Sequence, residues 1–213
     1  MKTKRKALLL TFCAVLLVVA SVLGTIAYLT SQDEVKNTFT VGQVAINLDE
    51  AKVNPDGTVV EGADRVKANS YKLLPGHTYT KDPMVTVLKG SESSYIKMTV
   101  TFTMAKELDA IFAPDGADLT SIFNDYNAAN WIAKGNTKDA TANTRTYEFW
   151  YKDAVGAPNG NVALDALFES ITVPSTINND QLKAIAGMKI TVNAYAIQAD
   201  GFETAKDAWD AFS

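Results

Sequence analysis

A ten-residue alternating segment, YIKMTVTFTM at residues 95–104, constrains the fold of this chain more than any other feature. Apolar side chains occupy every second position from Ile96 to Met104, and Lys97 and three threonines lie between them. Because successive side chains of a strand point to opposite faces of a sheet, one face of this strand is predicted to lie on a core and the other to face solvent.

The rest of the chain predicts further strands with a few short helices between them. A parity switch at Gly42, between Phe39/Val41 and the alternating set from Val44 to Leu48, predicts a bulge. Helical spacing predicts one helix that Pro114 ends, another over 119–126, a third near residue 182, and a C-terminal helix with capping-box spacing. The predicted fold class is therefore mainly β, a two-sheet β-sandwich of jelly-roll type with short inserted helices and a C-terminal helix.

The N-terminus has the layout of a secretory signal peptide over residues 1–27. Four basic residues come first, and small residues at Thr25 and Ala27 fit a cleavage site that leaves Tyr28 as the new N-terminus. The alternative is a retained membrane anchor, because residues 7–32 carry no charge and about 20 residues suffice to cross a bilayer as a helix. The predicted organisation is a signal peptide at 1–27, an N-terminal strand segment at 28–48 and a jelly-roll domain at 49–213.

Charge and cysteine content narrow the function of the mature chain. Removal of residues 1–27 takes away four of the 20 basic residues and none of the 24 acidic ones, which leaves a net charge of −8. Such a surface repels phosphate backbones, so no nucleic-acid partner is expected. The single cysteine, Cys13, lies in the predicted signal peptide, so the mature chain is expected to hold together without a disulfide.

No motif in the sequence supports catalysis, a cofactor or a metal. The only histidine, His77, lies in the turn LLPGHTY, whereas the H-E-x-x-H zinc motif needs two histidines on one helix face. Calcium is a weak alternative at the oxygen-rich loop with Asn54, Asp56, Glu61 and Asp64, which lacks EF-hand spacing. The chain is therefore predicted not to be an enzyme.

Two carbohydrate-related alternatives are also weak. Acidic residues such as Asp153, Asp165 and Glu169 could pair for glycoside hydrolysis, but any chain this acidic offers such pairs. The three tryptophans at positions 131, 150 and 209 could form a sugar platform, but each lies in an apolar-periodic segment, which favours core packing.

Three stretches, taken in order, resemble the TasA/camelysin (CalY) family of exported biofilm-matrix proteins. They are GTIAYLTSQDEVKNTFTVGQVAINL at 24–48, YKLLPGHTYTKDPMVTV at 71–87 and ITVNAYAIQADGFETAKDAW at 190–209. The resemblance implies a jelly-roll domain that a SipW-type signal peptidase processes and that assembles into extracellular fibres on a Gram-positive cell. It implies a secreted location, in the extracellular matrix or at the cell surface.

The resemblance also implies an assembly mode, in which the N-terminal strand of one subunit completes the sheet of the next. Carried over to this sequence, the donor strand comprises Val35, Phe39, Val41, Val44 and Ile46. The implied partners are further copies of the chain, head to tail, with an accessory or anchor matrix protein as a second partner. The metallopeptidase label of the camelysin branch finds no support in a chain with one histidine.

Physical reasoning from the residues reaches the same hypothesis. A first strand with an apolar face has unpaired backbone groups, and it can pair in its own domain or add to the sheet of a neighbour. A form beginning at Tyr28 is expected to polymerise, and one beginning at Asn47 to stay monomeric. The competing hypotheses are a cell-surface binding module that does not polymerise and, less favoured, a secreted metallopeptidase.

Overall fold

The structure is a computed structural model that describes Lys6 and residues 12–17, 42–112 and 123–212. The chain divides into two compact units, Met1–Val41 and Gly42–Ser213. In the first unit, the described residues are helical and exposed. The second unit contains all of the strands and helices described below.

Short strands dominate the described part of the second unit, and three short helices lie among them. The strands are β1 (Ile46–Asp49), β2 (Thr78–Thr80), β3 (Met84–Val87), β4 (Ser91–Thr103), β5 (Phe123–Asn124), β6 (Trp131–Asp139), β7 (Thr144–Tyr151), β8 (Val155–Ala157), β9 (Val162–Ala163), β10 (Ser170–Thr172) and β11 (Ile190–Gln198). The helices are α1 (Ala105–Phe112), α2 (Asn179–Ala184) and α3 (Ala205–Phe212). This composition confirms the predicted mainly-β class with short helices.

The strands form three sheets, and every strand pair is antiparallel. The largest sheet has the order β11-β4-β7-β6, with β8 pairing the first residues of β4. The two smaller sheets have the orders β1-β3-β9 and β2-β10-β5. One hydrophobic cluster contains side chains from all three sheets, so the sheets share a core.

The predicted alternation is confirmed in β4 over residues 95–103, whereas Met104 follows the end of the strand and is half-buried. Ile96, Met98, Val100 and Phe102 are fully buried, and the residues between them are partly exposed. Burying four large apolar side chains on one strand stabilises the fold by about 6–12 kcal/mol relative to leaving them in water. β4 therefore anchors the core, with β11 on one side and β7 on the other.

Phe123 corrects one sequence-based expectation. A helix was predicted over residues 119–126, but Phe123 and Asn124 form β5 and pair with β10. The Phe123 ring stacks on Phe168 with a centroid separation of 4.4 Å, and it lies 5.7 Å from Phe102. Aromatic packing and strand pairing in the core outweigh the helical spacing of the apolar residues.

The C-terminal helix α3 begins as its sequence predicts. The Asp207 carboxylate accepts a hydrogen bond from the Thr204 backbone N–H at 3.1 Å, and the Asp207 N–H donates to the Thr204 hydroxyl. Trp209 of this helix is buried, and the Lys97 ammonium lies 4.4 Å from its ring centroid. The helix thus contacts the large sheet through Lys97, at the middle of β4.

Candidate functional site

A groove of about 1120 Å³ is lined by residues of both β1 and β11. These two strands are the outermost members of their sheets, so the groove has a strand edge on each side. Its floor is apolar and mostly buried, formed by Phe102, Leu108, Ile171, Val173 and Ile185. An extended segment with apolar side chains is one kind of ligand that such a groove can hold.

The β11 wall directs the backbone groups of alternate residues to the side away from β4. The Thr103 N–H donates to the Lys189 carbonyl and the Ala199 N–H to the Ser93 carbonyl, so odd-numbered residues of this strand pair with β4. Because backbone groups alternate sides along an antiparallel strand, Val192 and Ala194 direct theirs away from β4. In the described part of the chain, no strand pairs with that side of β11.

The β1 wall likewise directs the backbone groups of alternate residues away from its partner strand. The Ala45 carbonyl accepts the Leu88 N–H on the β3 side, whereas Glu50 exchanges two hydrogen bonds with Val66 on the opposite side. Ile46 and Leu48 share the parity of Glu50, so their backbone groups also point away from β3. The Lys67 ammonium caps this edge by donating to the Leu48 carbonyl at 2.5 Å.

The core-facing side chains of both walls are only partly covered. Ile46, Leu48, Val192 and Ala194 are half-buried although they pack against the core cluster. Their strand neighbours in β3 and β4, such as Val85 and Val100, are fully buried. Both walls therefore have incompletely buried apolar side chains, and the outer edge of β1 is also partly bonded by Val66 and Lys67.

A polar network borders the groove beside β1. Arg65 donates to Asp49 at 2.5 Å and to Asp82 at 2.7 Å. Burial alone lowers the pKa of Arg65, but the hydrogen bonds to Asp82 and Asp49 raise it above its ordinary value, so the guanidinium stays charged. Burial also raises the pKa of Tyr71, and the negative charge of Glu50 raises it further.

Most of the residues predicted to act in export and strand donation lie outside the described part of the chain. Thr25, Ala27 and Tyr28 of the cleavage site do so, as do Val35, Phe39 and Val41 of the donor strand. Both predictions therefore stay predictions.

The two remaining donor residues, Val44 and Ile46, are described, and they lie in the second unit. Ile46 belongs to β1 and pairs with Val87 of the same chain. The Ala45 N–H donates to the Ser91 hydroxyl at 3.0 Å. A segment available for donation to another copy must consequently end near Gly42.

The weaker candidate sites are not assembled by the fold. Among the described residues, no group of three or more histidine, cysteine, aspartate and glutamate side chains could hold a metal ion, and this includes the loop from Asn54 to Asp64. His77 is exposed, and so are the carboxylates Asp153, Asp165 and Glu169. Trp131 and Trp209 are buried and Trp150 is half-buried, as core packing predicts.

The groove could not be predicted from the sequence. β1 and β11 are separated by more than a hundred residues, and nothing in either segment alone shows that their edges face one opening. One signal was present in the sequence, because the segment ITVNAYAIQ carries no charge and no proline at a position that proves to be a sheet edge.

No family model, curated protein or solved structure matches this chain in the comparisons. Across the residues that the structure describes, no helix is both long and apolar enough to cross a bilayer.

Proposed function

We propose that this chain is an exported structural protein that assembles head to tail, with the segment before Gly42 of one copy bound as a strand in the groove of the next. One observation carries the proposal, namely that no strand among the described residues pairs with the outer edge of β11, and that this edge borders an apolar groove that β1 also lines. A strand placed there satisfies backbone groups and covers half-buried side chains at the same time.

The N-terminal segment has suitable length and pattern for this role. Residues 28–41 number 14 and reach about 46 Å when extended, whereas the nine residues of β11 need about 30 Å. Val35, Phe39 and Val41 share one parity, so they point to one face of a strand. That face is suited to the apolar floor beneath β11.

The geometry of such a contact favours a filament. In the proposed contact, the donor segment of one copy binds the groove of another, so the contact joins two different surfaces. Head-to-tail contacts of this kind continue indefinitely unless the rotation between subunits closes a ring. An extracellular fibre is the proposed product.

The wider identity is proposed on the same basis. We infer that residues 1–27 are a secretory signal peptide, that the sheets form a jelly-roll-type sandwich, and that the chain resembles TasA/camelysin matrix proteins. The three quoted sequence stretches support the family, and the mainly antiparallel sheets with a shared core agree with the fold. The proposed location is the extracellular matrix or the cell surface, with no enzymatic activity.

A truncation experiment tests strand donation. A form starting at Tyr28 is expected to make filaments in negative-stain micrographs, and a form starting at Gly42 to remain monomeric by light scattering. A start at Gly42 is preferable to one at Asn47, because β1 begins at Ile46 and would be cut. A peptide of residues 28–41 should then bind the shortened form one to one.

The matched control is the same peptide with Phe39→Asp and Val41→Asp, which is expected not to bind because two charges would enter the apolar groove. Equal filament formation by both forms would refute donation by this segment. Monomeric behaviour of both at all concentrations would refute assembly itself.

A further inference from the structure

Three side chains with complementary reactivity meet in a buried site beside β1. The Lys81 ammonium donates to Oε2 of Glu50 at 2.5 Å, and the Asn69 side-chain amide donates to Oε1 of the same carboxylate at 3.0 Å. The side chains of Lys81 and Glu50 are only 8% and 9% exposed. One carboxylate therefore contacts both an amine and a carboxamide, and the amine and the carboxylate are largely shielded from solvent.

The remaining contacts of Asn69 fix its orientation. Its carbonyl oxygen accepts the Val53 backbone N–H at 3.0 Å, and its amide nitrogen also donates to the Ala51 carbonyl at 2.8 Å. A hydrogen-bond donor on a carbonyl oxygen stabilises the negative charge that develops there when a nucleophile adds to the carbon. The Asn69 side chain is thus fixed in place with a polarised carbonyl, as the group that a nucleophile would attack.

We propose that Lys81 and Asn69 react to form an intramolecular isopeptide bond, with Glu50 as the proton carrier. The Lys81 ammonium transfers a proton to Glu50, and the free amine then forms a bond from Nζ to Cγ of Asn69. The bond from Cγ to Nδ2 breaks, and Nδ2 leaves as ammonia after accepting the proton from Glu50. The second Nζ proton leaves through Glu50 and converts the ammonia to ammonium, so the carboxylate is regenerated without any oxidant or reductant.

Lys81 and Glu50 are largely shielded from water, and the amine and the carboxamide both contact the carboxylate directly. The same exclusion of water protects the product, because hydrolysis of an amide requires a water molecule at the carbonyl carbon. The site therefore supports both the formation and the persistence of the bond.

A second cluster of the same residue types serves as an internal comparison. Lys67 is exposed and donates to the side-chain oxygen of Asn47, while the amide of Asn47 donates to Asp49 at 2.5 Å. Here the lysine contacts the acceptor oxygen and a backbone carbonyl rather than the carboxylate. Proton transfer from the amine to the acid is not arranged in this cluster, so no bond is expected there.

The bond would covalently link two chain segments beside one wall of the groove. Asn69 belongs to the segment that borders the groove, and Lys81 lies between β2 and β3. The proposal does not depend on filament assembly, since all three residues belong to one copy of the chain. It offers a covalent constraint to a chain whose only cysteine is Cys13.

Mass spectrometry of the purified, denatured full chain tests the proposal. The expected mass is lower than that of the sequence by one ammonia, about 17 Da. Trypsin should release residues 68–72 joined to residues 73–89, because an acylated Lys81 is not cleaved. Fragmentation of that joined peptide should place the bond between Asn69 and Lys81.

The variants separate this reaction from other losses of the same mass. Glu50→Gln keeps the size of the side chain and should restore the full mass, as should Asn69→Ala, while Lys67→Gln should keep the loss. An unmodified mass for the unsubstituted chain overturns the proposal outright. So does a loss that maps to Asn159, where an exposed Asn-Gly pair can cyclise, or a loss that persists in both Glu50→Gln and Asn69→Ala.

Discussion

The two edges of the large sheet are built in opposite ways. The β11 edge contains no charged residue and no proline over Ile190–Gln198, and its register with β4 runs without interruption. The β6 edge, Trp131–Asp139, carries two lysines and an aspartate. Its register with β7 shifts between Ala133 and Gly135, and Gly135 has a φ of +107°.

Charges and a bulge are the devices by which proteins keep a sheet edge from pairing with other chains. β6 has both, whereas β11 has neither. Both strands belong to the same sheet, so the difference reflects the position of each edge rather than the general composition of the chain. An edge without these devices beside an apolar groove is what the proposed strand donation requires.

The largest expected effect comes from proline substitutions on the two edges. Ala194→Pro removes one N–H that points away from β4, so the monomer should fold while filament formation in micrographs is lost. Backbone groups alternate sides along each strand, and Tyr147 of β7, which is opposite Val100, directs its own toward β4. Asn136 is opposite Tyr147, so its backbone groups point out of the β6 edge. Asn136→Pro should therefore leave filaments intact.

Ala194→Val is the same-site control, because valine keeps the N–H and favours strand conformation. Circular dichroism and light scattering of each variant establish that the monomer has folded. Loss of filaments in Asn136→Pro with retention in Ala194→Pro would reverse the assignment of the two edges.

A second prediction concerns the core-facing side chains of the same two edges. Trp131 of β6 is fully buried and its indole N–H donates to the Asp165 carbonyl at 3.0 Å, whereas Val192 of β11 is only half-buried. Trp131→Ala should lower the free energy of unfolding by about 3–5 kcal/mol. Val192→Ala should lower it by only about 1 kcal/mol in the monomer.

Urea unfolding of monomers measures both values. The same two substitutions can be compared in filaments, because a bound strand would cover the Val192 side chain and leave the burial of Trp131 unchanged. The cost of Val192→Ala should then be larger in filament disassembly than in monomer unfolding. Equal costs at the two positions in the monomer would show that the β11 wall is already covered.

Much of the fold, but little of the site, could be predicted from sequence. The alternation in β4 and the capping residues of α3 are local signals, and the structure follows both. β6 was missed because KGNTKD lacks apolar alternation, and its strand conformation comes from pairing with β7. The helix predicted around Phe123 failed for a similar reason, since long-range packing decides that segment.

The groove and the buried triad depend on contacts between distant segments. Glu50, Asn69 and Lys81 are unremarkable polar residues in sequence, and only the folded chain places the amine and the carboxamide on one carboxylate. The groove likewise needs the relative positions of β1 and β11. Periodicity predicts which face of a strand is buried, but it does not predict which edge is left open.

The smallest expected effect is a pH dependence of stability that comes from one tyrosine beside the groove and one near the β6 edge. Burial raises the pKa of Tyr71 beside the groove and of Tyr151 below the β6 edge, above the ordinary value of 10.0. The folded chain therefore holds these phenol protons at a pH where the unfolded chain releases them. The contribution of these two phenols to the free energy of unfolding is fully present below about pH 10. It falls as the pH rises above that value, because the native state then binds more protons than the unfolded state.

Filament formation should alter this titration on one side only. A strand in the groove covers Tyr71 further and should raise its pKa more, while Tyr151, which packs on Trp131 with ring centroids 5.0 Å apart, keeps its surroundings. Absorbance titration of tyrosinate in monomers and filaments measures the shift, and Tyr71→Phe and Tyr151→Phe assign it. An upward shift that survives Tyr71→Phe but disappears in Tyr151→Phe would place the bound strand at β6 instead, because only a phenol that the strand covers loses access to water.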